Sequence, residues 1–242
     1  MNAFAPPFGY PRIRQVGSFH ELVTMPFTDG VNALCWPRTL SGDFNEVAKQ
    51  LGAGVGDSTG EGITTLTEAS LRDLPVSAAG RAAIGLMLTD LELLREQNLE
   101  PALNCIHGYL RDEEPSPVPT DVFSFHADSA PVPASTWLCT YHGPASEGLR
   151  NDEAVRRVDV PATRAALLQL FGGKDDADFR AYLEENCYDL HYSPAALARP
   201  FSFGHGNLWR IAVEHPGSPV PPCIHRAPPT LPGDSPRLLL IS

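Results

Sequence analysis

The sequence predicts an α+β fold in which a helical N-terminal half packs on a β-sandwich or barrel formed by the C-terminal half. Residues 77–98 have helical hydrophobic periodicity, and the pattern after them changes to that of strands. The 242 residues include 24 Pro and 20 Gly, which favour short strands and turns over a helical bundle. No repeat or Gly/Ser-rich linker divides the chain. We therefore expect one domain over 1–242, with a helical or irregular half at 1–100 and a β core at 101–242.

The N-terminal half contains two predicted helices. Asp43 is placed to cap the first, "FNEVAKQLG", and Ser77 to cap the second and longer one, which runs to residue 98. A short buried strand is predicted at 31–40, "VNALCWPRTL". Residues 1–30 are Pro-rich and are predicted to be irregular, and "GAGVGDSTGEG" at 52–62 is predicted to be a flexible glycine loop.

The C-terminal half alternates between strand and helix patterns. Gly206 and Asn207 predict a tight connection between two of its strands, and residues 111–120 form a polar, Pro-rich connection. Two helical stretches fall within a predicted helical insertion at about 151–200. The predicted strands are 102–110, 121–128, 135–143, 201–205 and 208–215, followed by "CIHRA" and "PRLLLIS", and the predicted helices are 161–172 and 176–187.

Composition excludes several classes of protein. The net charge is −11 and there is no Lys/Arg run, which disfavours a nucleic-acid or anionic-membrane partner. No apolar run approaches the length of a membrane span, and the first residues have no apolar signal core. The five cysteines are scattered without a CxxC pair, which argues against a disulfide framework and a Cys-type zinc site. We therefore expect a cytoplasmic protein with buried, reduced thiols; the sequence leaves its oligomeric state open.

The stretch "FSFHAD" carries a candidate metal site. In a strand, residues i and i+2 face the same way, so His126 and Asp128 should project together. A second imidazole from another strand, His225 in "CIHRAPP", would complete a 2-His-1-carboxylate set, which suits non-haem Fe(II). H-x-D by itself is common by chance, and the alternative is three unrelated polar residues on strand edges. His205, in "GHG", is the substitute third ligand.

Arg237 is a candidate anion-binding residue. It lies twelve residues after His225, at the start of the last apolar strand, and its planar guanidinium matches a carboxylate bidentately. Hydroxyls of Thr140 and Tyr141, on the strand after H-x-D, are candidate hydrogen-bond partners of the same carboxylate. The alternatives are a surface arginine that opens a strand and two ordinary strand residues. Arg226 should face away from His225 and form a structural salt bridge.

These motifs resemble known families. "GVNALCWPRTL", "FSFHAD", "LCTYHGPASEGL" and "IHRAPP…PRLLLIS" are similar to segments of an uncharacterised bacterial family that has W-x-R, FHxD, TYxGPGTEW and HRSPP in this order. H-x-D followed by a distal His and a basic residue also resembles the iron(II)/2-oxoglutarate-dependent dioxygenases, in particular the prolyl-hydroxylase and phytanoyl-hydroxylase groups. Two positions depart from these patterns. Leu239 replaces a Ser of the last strand, and Gly148 replaces a Trp, which suggests a changed pocket wall.

The resemblance implies a double-stranded β-helix core, a jelly-roll of the cupin type, with the N-terminal helices packed on it. It implies Fe(II) held by His126, Asp128 and His225, with a carboxylate of 2-oxoglutarate on Arg237. The implied reaction is hydroxylation of a small-molecule or peptide substrate. Three alternatives stay open: a metal-dependent hydrolase with a metal-bound water, a cupin-type dioxygenase that does not use 2-oxoglutarate, and a non-catalytic metal-binding module.

Overall fold

Two β-sheets and a layer of helices make up the chain in a computed structural model that describes residues 6–53, 62–109, 116–230 and 235–242. The predicted α+β class is confirmed. Residues 54–61 of the predicted glycine loop and residues 111–115 of the polar connection lie outside the described residues. The helices are α1 (Phe19–Thr24), α2 (Phe44–Ala53), α3 (Glu68–Arg72), α4 (Ala78–Arg95), α5 (Pro161–Phe171) and α6 (Ala177–Glu185).

The larger sheet has seven strands, in the spatial order β1-β2-β11-β6-β13-β4-β3. Its strands are β1 (Ile13–Gln15), β2 (Ala33–Trp36), β3 (Gly62–Thr65), β4 (Ala102–Gly108), β6 (Ser135–His142), β11 (Leu208–Ala212) and β13 (Arg237–Ile241). The smaller sheet has six strands, in the order β10-β7-β12-β5-β9-β8. They are β5 (Phe125–His126), β7 (Glu147–Leu149), β8 (Ala154–Arg156), β9 (His191–Pro194), β10 (Phe201–Ser202) and β12 (Ile224–Arg226).

The N-terminal helices cover one face of the larger sheet. The predicted caps are present: Asp43 accepts a hydrogen bond from the amide of Glu46 at 2.9 Å, and Ser77 accepts one from the amide of Gly80 at 3.2 Å. Met87 of α4 belongs to a buried cluster that also holds apolar residues of the sheet. None of the described helices has the length and apolar character that a membrane crossing requires.

Strand alternation divides the larger sheet into two faces. Along β6, Trp137 and Tyr141 belong to the cluster shared with the helices, whereas Leu138 belongs to a second cluster. That second cluster also contains Phe203 and Cys223, which flank strands of the smaller sheet. The second face of the larger sheet therefore borders the interior between the two sheets.

The segment 151–200 differs from the predicted helical insertion. It contains α5 and α6, whose side chains form a small apolar cluster of their own, but it also contributes β8 and β9 to the smaller sheet. Strand β9 forms because it supplies hydrogen-bonding groups to the free edge of β5 and packs Tyr192 against the cluster around Phe125. As a result, His191 lies opposite His126.

Two local predictions are wrong. Residues 1–30 are not wholly irregular, because β1 pairs in parallel with β2 and α1 packs Leu22 into the core. The connection predicted to be tight at Gly206 and Asn207 is longer, spanning residues 203–207, and the strands that it joins belong to different sheets. The connection instead turns between the sheets, where the Asn207 side chain donates a hydrogen bond to the carbonyl of Phe203 at 2.9 Å.

Candidate metal centre

One row of residues crosses the smaller sheet and carries the candidate site. Register pairs place Phe201, Gly148, His225, His126 and His191 side by side on five neighbouring strands. Their sequence neighbours on β5, β7 and β12 form an apolar cluster of their own. Because side chains alternate along a strand, the row faces the interior between the sheets.

Two of the three predicted metal ligands, His126 and His225, lie on this row, and Asp128 meets them from beyond the end of β5. One ligand atom from each of His126, Asp128 and His225 lies within 4.8 Å of the other two. Nε2 of His126 is 3.7 Å from Oδ1 of Asp128, and Nε2 of His225 is 3.7 Å from Oδ2. Ligands of one ion lie about 3–4 Å apart when each bond is about 2.0–2.2 Å. Small side-chain rotations therefore bring all three onto one ion.

Both imidazoles are oriented for metal binding. Nδ1 of His126 donates to the carbonyl of Ser124 at 2.8 Å, and Nδ1 of His225 lies 3.4 Å from the carbonyl of Cys223. Nδ1 of each ring thus faces a backbone carbonyl, and Nε2 of each ring is directed towards Asp128. Burial, together with the neighbouring His225, lowers the pKa of His126 to about 4. His126 is therefore a neutral donor at physiological pH.

Asp128 is held as a carboxylate although it lies beyond the end of β5. Burial alone would raise its pKa, but His225, a hydrogen bond from the Thr136 hydroxyl and His126 together lower it. The backbone carbonyl of Asp128 accepts a hydrogen bond from the amide of Glu214 at 2.7 Å. These contacts fix the carboxylate beside the two imidazoles in the charged form that a metal requires.

Arg237 is buried in the protein interior, with 1% of its surface exposed. The alternative of a surface arginine is therefore wrong. Its guanidinium donates to the hydroxyls of Tyr109 at 3.1 Å, Thr140 at 3.2 Å and Ser146 at 2.6 Å. Among the described residues it has no carboxylate partner, and its Nε has no hydrogen bond. Burial lowers its pKa, but an arginine remains charged, so this buried cation has no counter-ion among the described residues.

The metal cluster and Arg237 border the same interior. Leu239, two residues after Arg237 and on the same face of β13, belongs to the cluster between the sheets. The ring of Phe203, in that cluster, lies 6.4 Å from the ring of His225. Ser146, which contacts Arg237, is two residues from Gly148, the register partner of His225.

Comparisons of the chain with protein-family models, with curated proteins and with solved structures give no match. We therefore infer the function of the centre from its own residues.

Tyr141 is not brought to the site. Its hydroxyl points to the helix side of the larger sheet and donates to Oδ2 of Asp90 at 2.6 Å. Asp90 is paired bidentately with Arg38 at 2.6 and 2.8 Å. Thr140, one residue earlier, faces Arg237. Because neighbours in a strand face opposite ways, only one of these two hydroxyls is able to reach a ligand between the sheets.

We expect Tyr141→Phe and Thr140→Val to have different effects. Tyr141→Phe removes a buried hydrogen bond to a charged group, which should lower the free energy of unfolding by about 1.5–3 kcal/mol and leave anion affinity unchanged. Thr140→Val removes a hydroxyl beside Arg237 and should weaken anion binding. Urea unfolding and calorimetry with 2-oxoglutarate measure the two effects. The assignment of faces is contradicted if Tyr141→Phe weakens the ligand as much as Thr140→Val does.

The other histidines and Arg226 have separate roles. Nε2 of His205 hydrogen-bonds to the carbonyl of Gly143, so His205 does not replace His225 in the cluster. Arg226 forms the expected salt bridge, to Glu147 at 2.7 Å. His142 contacts the hydroxyl of Ser235 at 3.0 Å.

Sequence reasoning missed Tyr109, Ser146 and His191. Ser146 lies within "GPASEGL", which the family resemblance marks as a motif, so its position carried a signal. Tyr109 is the last residue but one of the predicted strand 102–110, and His191 lies in the segment 151–200. Neither position belongs to a motif of the resembling family. Gly148 leaves no room for the Trp of the family pattern, because a Cβ there would lie 2.3 Å from the Phe201 ring and 2.7 Å from the Phe203 ring.

Proposed function

We propose that this chain is a non-haem Fe(II)/2-oxoglutarate-dependent dioxygenase with a double-stranded β-helix core. Strand order supports the core. From β4 to β7, each successive strand lies in the other sheet, and the alternation resumes from β10 to β13. The eight strands form two four-stranded arrays, β4-β13-β6-β11 and β5-β12-β7-β10. Two antiparallel sheets between which successive strands of the chain alternate are typical of a jelly-roll.

One observation carries the proposal: a three-ligand cluster and a buried cation border one interior, and the cation has no counter-ion within residues 6–53, 62–109, 116–230 and 235–242. The cluster of His126, Asp128 and His225 supplies two imidazole nitrogens and one carboxylate. Such a set leaves coordination positions open and suits Fe(II). A buried guanidinium without an acidic partner is energetically costly, and a ligand carboxylate would compensate it.

The residues around Arg237 fit one carboxylate of 2-oxoglutarate. The guanidinium of Arg237 offers two coplanar N–H donors to a carboxylate. One of them is Nε, which has no partner among the described residues. One guanidinium nitrogen, Nη2, donates to the hydroxyls of both Thr140 and Ser146. Each hydroxyl would in turn donate its own proton to the carboxylate. Leu239 lacks the hydroxyl that several dioxygenases carry on the last strand. Ser146 supplies one from the segment before β7 instead.

With Fe(II) and 2-oxoglutarate bound, a centre of this kind activates oxygen and couples decarboxylation of the cosubstrate to hydroxylation of a substrate. The chain's own residues then have defined tasks. His126, Asp128 and His225 hold the metal through atoms already oriented by backbone and hydroxyl hydrogen bonds. Arg237 holds the far end of the cosubstrate. The apolar residues between the sheets exclude water from both.

Anaerobic calorimetry and a turnover assay test the proposal. The Fe(II)-loaded protein should bind 2-oxoglutarate and slowly convert it to succinate in air, even without the substrate. Metal binding without 2-oxoglutarate binding would refute the dioxygenase and favour the hydrolase, the cosubstrate-independent dioxygenase or the binding module. Loss of metal binding altogether would refute all four.

A further inference from the structure

A cavity of about 220 Å³ lies beside the metal cluster. His126 and Asp128 line it, so a molecule that enters it lies next to two of the three metal ligands. Arg237 and its hydroxyl partners are not among its lining residues. The cavity is therefore separate from the carboxylate subsite and approaches the cluster from another side.

Two segments form the rest of the wall. Thr120, Val122 and Ser129 come from the residues around β5, and Cys187 and Leu190 come from the segment that leads into β9. The second segment belongs to the part of the chain without counterpart in the resembling family. The insertion thus supplies one side of a cavity that reaches the cluster.

The wall offers few charged or free polar groups. No lysine or arginine among the described residues lines it, and Asp128 would be bound to the metal. His191 also lines it, but its Nδ1 hydrogen-bonds to the carbonyl of Cys187 at 2.8 Å, and the backbone of Thr120 is a second partner of its ring. A charged group placed there would therefore find no free side chain of opposite charge on the wall.

We propose that this cavity is the substrate subsite and that it takes a small neutral group, aliphatic or hydroxylated, of the molecule to be hydroxylated. Its volume of about 220 Å³ corresponds to roughly seven water molecules at about 30 Å³ each. That is enough for a short branched chain and too little for a large aromatic ring system. Leu190, Val122 and Thr120 are then specificity-determining residues. The assignment of a substrate rests on the proposed function.

Cys187 provides a direct probe of the cavity. All five cysteines lie in the described part of the chain, and Cys187 is the only exposed one. Its alkylation by iodoacetamide, followed by mass spectrometry, reports whether the cavity is filled. Three matched compounds serve as probes: isobutanol, isobutyrate and isobutylammonium. Free cysteine in the same solutions controls for reagent reactivity, and the protein is used both metal-free and loaded with Zn(II) and N-oxalylglycine.

At a concentration of about twice its own Kd, isobutanol should slow the alkylation of Cys187 about threefold. Isobutyrate and isobutylammonium should not slow it. Leu190→Trp should fill the cavity and remove the protection. Val122→Trp, at a position that is already 36% exposed, repeats the test if Leu190→Trp does not fold. Equal protection by the ions, or protection that survives both substitutions, would overturn the subsite. Failure of the Zn(II) and N-oxalylglycine to bind would instead overturn the proposed function, because the metal-free measurement does not depend on either.

Discussion

His126→Ala should reduce metal affinity by more than about 100-fold, beyond the 10–100-fold loss that follows removal of an outer-shell partner. His126 supplies one of three ligand atoms within 4.8 Å, and no other described histidine replaces it. His191 is the nearest candidate, with its ring 5.8 Å from that of His126, but its nitrogens have backbone partners. Titration with Co(II), followed by its visible spectrum, measures the loss and reports the ligand set.

His205→Ala is the matched control. His205 is an imidazole on the larger-sheet side, bonded to the carbonyl of Gly143, and its removal should leave Co(II) affinity and spectrum unchanged. His225→Ala should behave like His126→Ala, because both contribute Nε2 to the same carboxylate. A Co(II) site that survives in the His126 variant, or disappears in the His205 variant, would show that the cluster has been assigned to the wrong residues.

Arg237→Met should abolish 2-oxoglutarate binding and at the same time stabilise the fold. The guanidinium is buried, has no acidic partner among the described residues and leaves one nitrogen unbonded. Replacing such a group by an apolar side chain of similar length removes a desolvation cost, so the free energy of unfolding should rise by about 1 kcal/mol or more. Calorimetry and urea unfolding of the same preparation measure both quantities.

Arg38→Met is the control for this prediction. Arg38 is also a largely buried arginine, but it is paired bidentately with Asp90. Its removal leaves the buried carboxylate of Asp90 without a cationic partner, with only the Tyr141 hydroxyl still bonded to it, and should cost about 3–5 kcal/mol. Opposite signs for the two variants are therefore expected. A fall in stability on Arg237→Met comparable to that of Arg38→Met would mean that Arg237 is a structural residue rather than a ligand-binding one.

The local signals in the sequence predicted much of the fold. Caps and helical periodicity predicted α2 and α4, since a cap depends on atoms three residues away. Strand patterns predicted β4, β6 and β13. In the segment 151–200 the same reasoning predicted α5 and α6 but missed β8 and β9, because β9 forms only where the free edge of β5 is available to pair with it.

The sequence by itself predicted that His126 and Asp128 project together, from the direction of residues i and i+2 in a strand. The strand ends at His126, however, so the carboxylate of Asp128 is held beside the imidazoles by its contacts with Thr136 and the backbone of Glu214 instead. The sequence also predicted that Arg226 points to the other face of the strand from His225. It did not decide whether Thr140 or Tyr141 faces the site, since that depends on which side of the larger sheet the helices cover. The approach of β5 to β12, the hydroxyls around Arg237 and the position of His191 were decided by the tertiary structure alone. These contacts join residues distant in the chain, and they exist only after the two sheets have packed.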